Sequence, residues 1–355
     1  MKNLGTFDGG VFCRGSRSRG GIARFNDSRS VRTFKDAAIA NGGIFLQSEL
    51  EKRDMMIRQP LTSVTYTRDI PIKVGGGWVE YVSAMNIDFG STGGSGDGAV
   101  TASGANGIPV IQMNMEKDTF TAHVYSSMLR VPFIDMQRQN YTGKSLDSLL
   151  TDGIRMAYDK HMDRNVYFGL QNYGTHGLLN NPNITATQAA TNAAGTARDW
   201  KHKTPDEILN DINDAINSVW EACGNDASAI PNHIIIPHAQ YAYIATQKVS
   251  EYADKSILTY LLENNVTKLN GYELIIAPCP WCKEAGVGST PQAPVARMAV
   301  YVHNERFLAV EELVPLARCM TQPNVEKLSY DSVYTANISE VELFYNQTIM
   351  YVDGI

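Results

Sequence analysis

Cys279 and Cys282 stand two residues apart at the end of "YELIIAPCPWC", with Pro280 and Trp281 between them. A C-x-x-C pair after an apolar strand is the arrangement of a dithiol redox centre. Such chemistry needs a thiolate at ambient pH, and a helix starting at the motif supplies it by lowering the nucleophile's pKa. Here "YELIIAP" reads as the strand, but "KEAGVGSTPQAPVA" follows, with two glycines, two prolines and no helical stripe. A thiol-disulfide oxidoreductase using Cys279 and Cys282 therefore competes with a plainer reading, an apolar loop that carries two thiols. The plainer reading is preferred.

Other chemistries fare no better. A structural zinc site needs a second ligand pair, whereas Cys13, Cys223 and Cys319 are single and no His-x-x-x-His occurs. "GGSGDG" breaks the serine-nucleophile pattern at Asp97. "VGGGWVEY" lies between two strands and lacks the G-K-[ST] of a phosphate loop. "DKHMDR", residues 159–164, clusters charge on a helix, and a solvated or subunit-facing face explains it more simply than acid–base catalysis. The expectation is a protein with no catalytic, cofactor-binding or metal-binding residues.

What remains is organisation. The chain has 355 residues, 43% of them hydrophobic, enough for more than one core. No apolar run approaches the roughly 18 residues of a membrane helix, and "MKNLGTFDGGVFCRGSRSRGG" has no apolar signal-peptide core. Five scattered cysteines suit a reducing compartment. Charge is uneven: residues 1–35 carry eight basic residues against Asp8 and Asp27, a net of +6, which leaves −12 elsewhere for the total of −6. Arg14, Arg17, Arg19, Arg24, Arg29 and Arg32 make this Gly/Ser-rich arm a candidate for an anionic partner, against the plainer reading of a solvated tail.

Residues 36–61 read as short helices ended by Pro60. Alternation in "SVTYTRDIPIKV" (Val64, Tyr66, Ile70, Ile72, Val74) and in "WVEYVSAMNIDF" (Val79, Tyr81, Met85, Ile87, Phe89) predicts strands. A Gly/Ser/Ala segment, 90–107, separates these from further strands up to Phe133. Residues 62–133 are thus a thin β excursion that needs a surface to lie against, and Tyr66, Arg68, Trp78 and Tyr81 are its candidate contacts. Leu146, Leu149, Leu150, Ile154, Ala157 and Tyr158 stripe a long helix over about 143–170, within a segment 134–199. Thr204-Pro205-Asp206-Glu207 is a capping box opening a helix with Ile208, Ile212, Ala215, Ile216 and Val219 on one face. Residues 200–315 read as a compact α+β lobe and 316–355 as a β return.

This order resembles the major capsid proteins of tailed bacteriophages, the Hong Kong ninety-seven-like or Johnson fold, from about Phe34 to the end. "GLQNYGTHGLLNNPNI" is similar to the family's hinge after its spine helix, "WKHKTPDEILNDINDAI" to its first axial helix, and "YNQTIMYVDGI" to its ending. "ANISEVELF" stands where the family often has a Gly-Gly and an Arg-Tyr-Pro-like strand. The resemblance implies an α+β capsid fold: an N-terminal arm (1–35), a helical segment (36–61), an extended loop over a neighbour (62–133), a peripheral domain with the spine helix (134–199 and 316–355) and an axial domain (200–315). It implies a structural protein that assembles into hexamers and pentamers of an icosahedral virion capsid in the bacterial host cytoplasm. Its partners would be itself, packaged double-stranded DNA, scaffold, portal and decoration proteins, with no membrane. Cys279, Pro280, Trp281 and Cys282 would then lie in an axial loop where subunits meet. Covalent crosslinking, known in some relatives, would draw on Lys73, Lys117 and Asn346, which nothing marks as poised. An encapsulin-type shell shares the fold; the long basic arm favours the virus.

Overall fold

Alternating strands need covered faces, and two large sheets with a long helix between them supply those faces. A computed structural model describes residues 63–92, 110–142, 146–250, 254–287 and 294–355. The basic arm, the segment 36–61 and most of the tip 90–107 lie outside the described residues.

In chain order the elements are α1 (Tyr66–Asp69), β1 (Ile72–Val74), β2 (Tyr81–Thr92), β3 (Val110–Pro132), α2 (Phe133–Thr142), α3 (Leu146–Phe168), β4 (Thr185–Gln188), α4 (Pro205–Ala222), β5 (His233–Ile236), α5 (His238–Thr246), α6 (Ile257–Glu263), α7 (Val266–Leu269), β6 (Ile275–Pro278), β7 (Gly286–Val287), β8 (Pro294–Val295), β9 (Arg297–Tyr301), β10 (Leu308–Asn324), β11 (Ser329–Ser339), β12 (Glu342–Leu343) and β13 (Ile349–Asp353). One sheet has the order β1-β10-β11-β3-β2, with β12 on β10; the other runs β4-β13-β9-β5-β6.

The centre of the second sheet is covered on both faces, which is why Ile234, Ile235 and Ile236 of β5 are apolar in succession. Ile234, Ile236, Met298, Val300 and Val352 pack with Ile208, Ile212 and Ile216 of α4 and Ile257 and Leu261 of α6. Ile235, Ala299, Tyr301 and Tyr351 pack on the opposite side with Tyr158, Met162, Val166 and Tyr167 of α3. α4 starts where its capping signal lies: Thr204 Oγ1 accepts the Glu207 N–H at 3.4 Å, with Pro205 in the first turn.

The turn after α3 is fixed by close approach. A Cβ on Gly177 would collide with the backbone of Tyr167 and Phe168. This lets Leu178 and Leu179 enter the core, where Tyr351 Oη donates to Leu178 O (2.7 Å) and Arg297 Nη1 to Leu179 O (2.6 Å). Arg297 also makes a buried bidentate pair with Asp353 (2.7 and 2.8 Å).

Three expectations change. The alternation of 64–74 is not one strand: residues 66–69 form the turn α1, and only 72–74 extend. Asp163 Oδ1 accepts the N–H groups of Thr65 (2.8 Å) and Tyr66 (3.0 Å), satisfying the free donors at that turn's start. Pro71 then holds Ile70 extended (φ −141°). Strand β10 crosses residue 315 without a break. The closing strand β13 joins the second sheet, between β4 and β9, rather than following the first half of 316–355 into the other sheet.

Candidate assembly surface

Among the described residues, the part with least support from its own chain is the β2–β3 hairpin. Strand β3 pairs with β11 from Ala122 to Pro132 and with β2 from Val110 to Thr121. Twelve paired residues at about 3.3 Å each give a two-stranded arm roughly 40 Å long.

Its two faces differ. Residues directly opposite in an antiparallel pair point the same way, so Tyr81/Thr121, Met85/Lys117, Ile87/Met115 and Phe89/Met113 share a face with Ile111. Tyr81, Met85, Ile87, Phe89, Ile111, Met113 and Met115 are between 48% and 75% exposed. The other face carries Asn86/Glu116 and Asp88/Asn114, and Asn86 Nδ2 donates to Asp118 Oδ2 at 2.5 Å. The seven apolar side chains expose on the order of 600 Å² together, the size of patch that marks an interface. Burying that surface is worth about 15 kcal/mol gross, against association costs of about 4–15 kcal/mol. A narrow ribbon cannot cover this face itself.

The hairpin's root is fastened to the first sheet. Asn337, buried on β11, donates from Nδ2 to Gly77 O (3.2 Å) and Val79 O (2.9 Å). Gly76 takes φ +122° with Leu313 Cδ2 only 2.6 Å from where a Cβ would be, so this bend requires glycine.

The expected contacts on the excursion divide. Trp78 (58% exposed) and Tyr81 (62%) sit at the root, open to solvent. Tyr66 does not extend with the hairpin: it lies on α1, buried in the core of its own chain beside Tyr158 and Val310. Arg68 is committed internally, donating to Asp69 from Nε (2.6 Å) and Nη2 (2.8 Å) and to Pro278 O (2.9 Å). Both corrections follow from Asp163 capping α1, which ties this turn to α3. Arg14, Arg17, Arg19, Arg24, Arg29 and Arg32 lie outside the described residues. Of the crosslinking candidates, Lys117 lies opposite Met85 on the hairpin, Lys73 leans over the Phe344 ring (5.5 Å) and Asn346 begins a 3-10 turn.

The cysteine motif is also internal, which corrects its expected place in a loop between subunits. Cys279 continues β6, its N–H donating to Ile236 O (2.8 Å), and a single 3-10 turn, Pro280–Glu284, follows. Both cysteines are fully buried. Burial, then the hydrogen bond with Cys279, pushes the Cys282 thiol well up. Such a thiol is a poor nucleophile, which counts against the oxidoreductase reading. Trp281 turns inward: its indole N–H donates to Asp163 Oδ2 (2.6 Å), and its ring meets Phe168 edge-on (5.7 Å).

Next to it lies a buried polar junction that sequence reasoning missed. The Asp69 carboxylate receives Arg68, the Tyr167 hydroxyl and His233 Nε2 (3.3 Å), and Tyr301 Oη donates to Asp69 O (2.5 Å). Burial would push this carboxyl up, but hydrogen bonds from His233, Arg68 and Tyr167 outweigh it and hold it below its ordinary value. The charge run at 159–164 held the one available clue, because Asp163 at i−4 from Tyr167 shares its helix face. The junction fastens α1, α3 and the second sheet together. Both of its carboxylates are held by several donors, although His233 Nδ1 has no partner among the described residues, and the junction reads as structure rather than catalysis. No group of three or more His, Cys, Asp or Glu residues suited to a metal occurs among the described residues, and no described helix is long and apolar enough to cross a membrane.

Comparison with known families identifies the chain's family. The model of the major capsid protein family matches residues 96–355, most of the chain. The chain belongs to the major capsid protein family. Solved structures agree on the fold. The capsid of Myoviridae phage XM1 superposes with a TM-score of 0.72 at 17% identity, covering 88% of this chain and 100% of that one. The capsid of a native GTA particle gives 0.55 at 14% identity (89% and 98%), and that of cyanophage P-SCSP1u gives 0.52 at 12% (93% and 99%). No curated protein sequence matches the chain. This capsid protein thus has the α+β Johnson fold of those solved capsids, and its role is structural.

Proposed function

We propose that this capsid protein closes into an icosahedral phage head of hexamers and pentamers, in which each hairpin lies across a neighbouring copy. The exposed apolar face of Tyr81, Met85, Ile87, Phe89, Ile111, Met113 and Met115 carries this reading, because a second copy is the surface that the ribbon lacks. The lobe built on the second sheet serves as the axial domain, and the long sheet with α3 as the peripheral domain. The protein performs no catalysis and needs no cofactor.

The arm, residues 1–35, faces the interior. Its net charge of +6 suits packaged double-stranded DNA, held without sequence preference by phosphate contacts that release counterions. Before filling, an acidic scaffold fits the same arm. Portal and decoration proteins are further partners of the finished shell, which is assembled in the host cytoplasm.

Light scattering and electron microscopy of the purified full chain, with and without scaffold, test the assembly reading. Rings or shells are expected. A chain that stays monomeric at high concentration in both conditions contradicts it.

A further inference from the structure

Glu342 is fully buried, and neither of its carboxylate oxygens has a hydrogen-bond partner among the described residues. A buried ionised carboxylate in that position is strongly disfavoured. The neighbouring hydroxyl of Ser339 is committed elsewhere, donating to Glu340 O (2.8 Å) and accepting the Glu311 N–H (2.9 Å).

The charges around Glu342 come from three elements. Glu342 lies opposite Ala309 of β10, and Lys73 of β1 lies opposite Glu311. Strand alternation puts Ala309 and Glu311 on one face, so Glu342, Glu311 and Lys73 share that side. Glu340 adds a second acid from Glu342's own turn. Lys73 compensates only in part, since its ammonium sits over Phe344 and makes no ion pair among the described residues. Burial, with the Glu311 charge next, pushes the Glu342 carboxyl up to about 7.

The turn that carries Glu342 also fastens the hairpin's root. The Glu340 N–H donates to Thr121 O (3.0 Å), and Thr121 Oγ1 donates to Glu340 Oε2 (2.9 Å). Ser339 pairs with Ala122, and Phe344 meets Phe120 edge-on at 5.6 Å. Thr121 and Phe120 lie opposite Tyr81 and Val82, the first residues of the hairpin.

We propose that Glu342 is a proton-operated latch for the hairpin's root. Protonated, it lets the 339–344 turn seat against β10 and grip Phe120 and Thr121. Ionised, it is repelled by Glu311 and drawn to water, the turn lifts, and the hairpin can pivot. This device works within one subunit and does not depend on the assembly reading.

Hydrogen exchange of full-length dissociated subunits between pH 5.5 and 8.5, corrected for intrinsic rates, tests it. Protection in segments 339–344 and 119–123 should fall by up to about tenfold per pH unit as pH rises from 5.5 to the seated carboxyl's midpoint near 7, and level off above it. Glu342→Gln should keep its protection across the range, and Glu311→Gln should move the midpoint to lower pH. Protection that does not depend on pH in the native chain overturns the latch, as does the same loss in Glu342→Gln. If Glu342→Gln does not fold, an unmoved midpoint in Glu311→Gln overturns it instead.

Discussion

Trp281 and Asp163, 118 residues apart, are joined by a 2.6 Å hydrogen bond from indole to carboxylate, while the other oxygen of Asp163 caps the turn that begins at Tyr66. One side chain of the long helix thus fastens both the cysteine loop and the chain leading to the hairpin. Trp281→Ala should therefore destabilise the isolated subunit, by about 3–5 kcal/mol for loss of a packed indole. Urea unfolding of dissociated subunits checks this. A midpoint equal to that of the native chain would place Trp281 at an interface instead.

Cys279 and Cys282 should resist thiol reagents in folded subunits, since both are buried and the Cys282 thiol is pushed well up. Exposed Cys319 should react. Brief alkylation followed by peptide mass spectrometry reads this directly. Rapid modification of the buried pair without unfolding would revive a redox reading.

The Asp69 carboxyl is held below its ordinary value. The sign follows from linkage: its contribution is complete above its unfolded pKa of about 3.9 and is lost as pH falls through the lower folded value. Stability measured from about pH 6 down to about pH 3 should decline in the native chain, and Asp69→Asn should remove part of that slope. Identical slopes would show that acid sensitivity arises elsewhere.

Much of this fold is written locally. The capping box at Thr204 and the stripe from Ile208 to Val219 are signals within one helix, and α4 follows them. The hairpin's apolar alternation from Tyr81 to Phe89 is equally legible. What stays hidden depends on partners far away. Residues 64–74 alternate like a strand, but Asp163 caps a turn there from 98 residues along the chain. Trp281 looks like an exposed loop aromatic until Asp163 and Phe168 are brought beside it. Glu342 shows no sequence signal at all, because its burial arises only where β10 and β12 meet.

Neutralising Arg14, Arg17, Arg19, Arg24, Arg29 and Arg32 to glutamine should flatten the salt dependence of DNA packaging or of scaffold-assisted assembly. For DNA, every phosphate that the arm no longer neutralises reduces the steepness of log K against log salt by about 0.9. An unchanged slope would mean that apolar residues of the arm do the holding.

If the exposed hairpin face binds another copy, charge placed on it must block assembly without harming the subunit. Phe89→Glu combined with Met113→Glu puts two charges on that face and touches nothing in the subunit's core. Analytical ultracentrifugation of this variant, alongside urea unfolding of its subunits, is the most direct test. We expect the subunit's stability to stay within about 0.5 kcal/mol of the native chain, as for surface substitutions, while rings and shells disappear. Shells formed at the native yield would contradict the account.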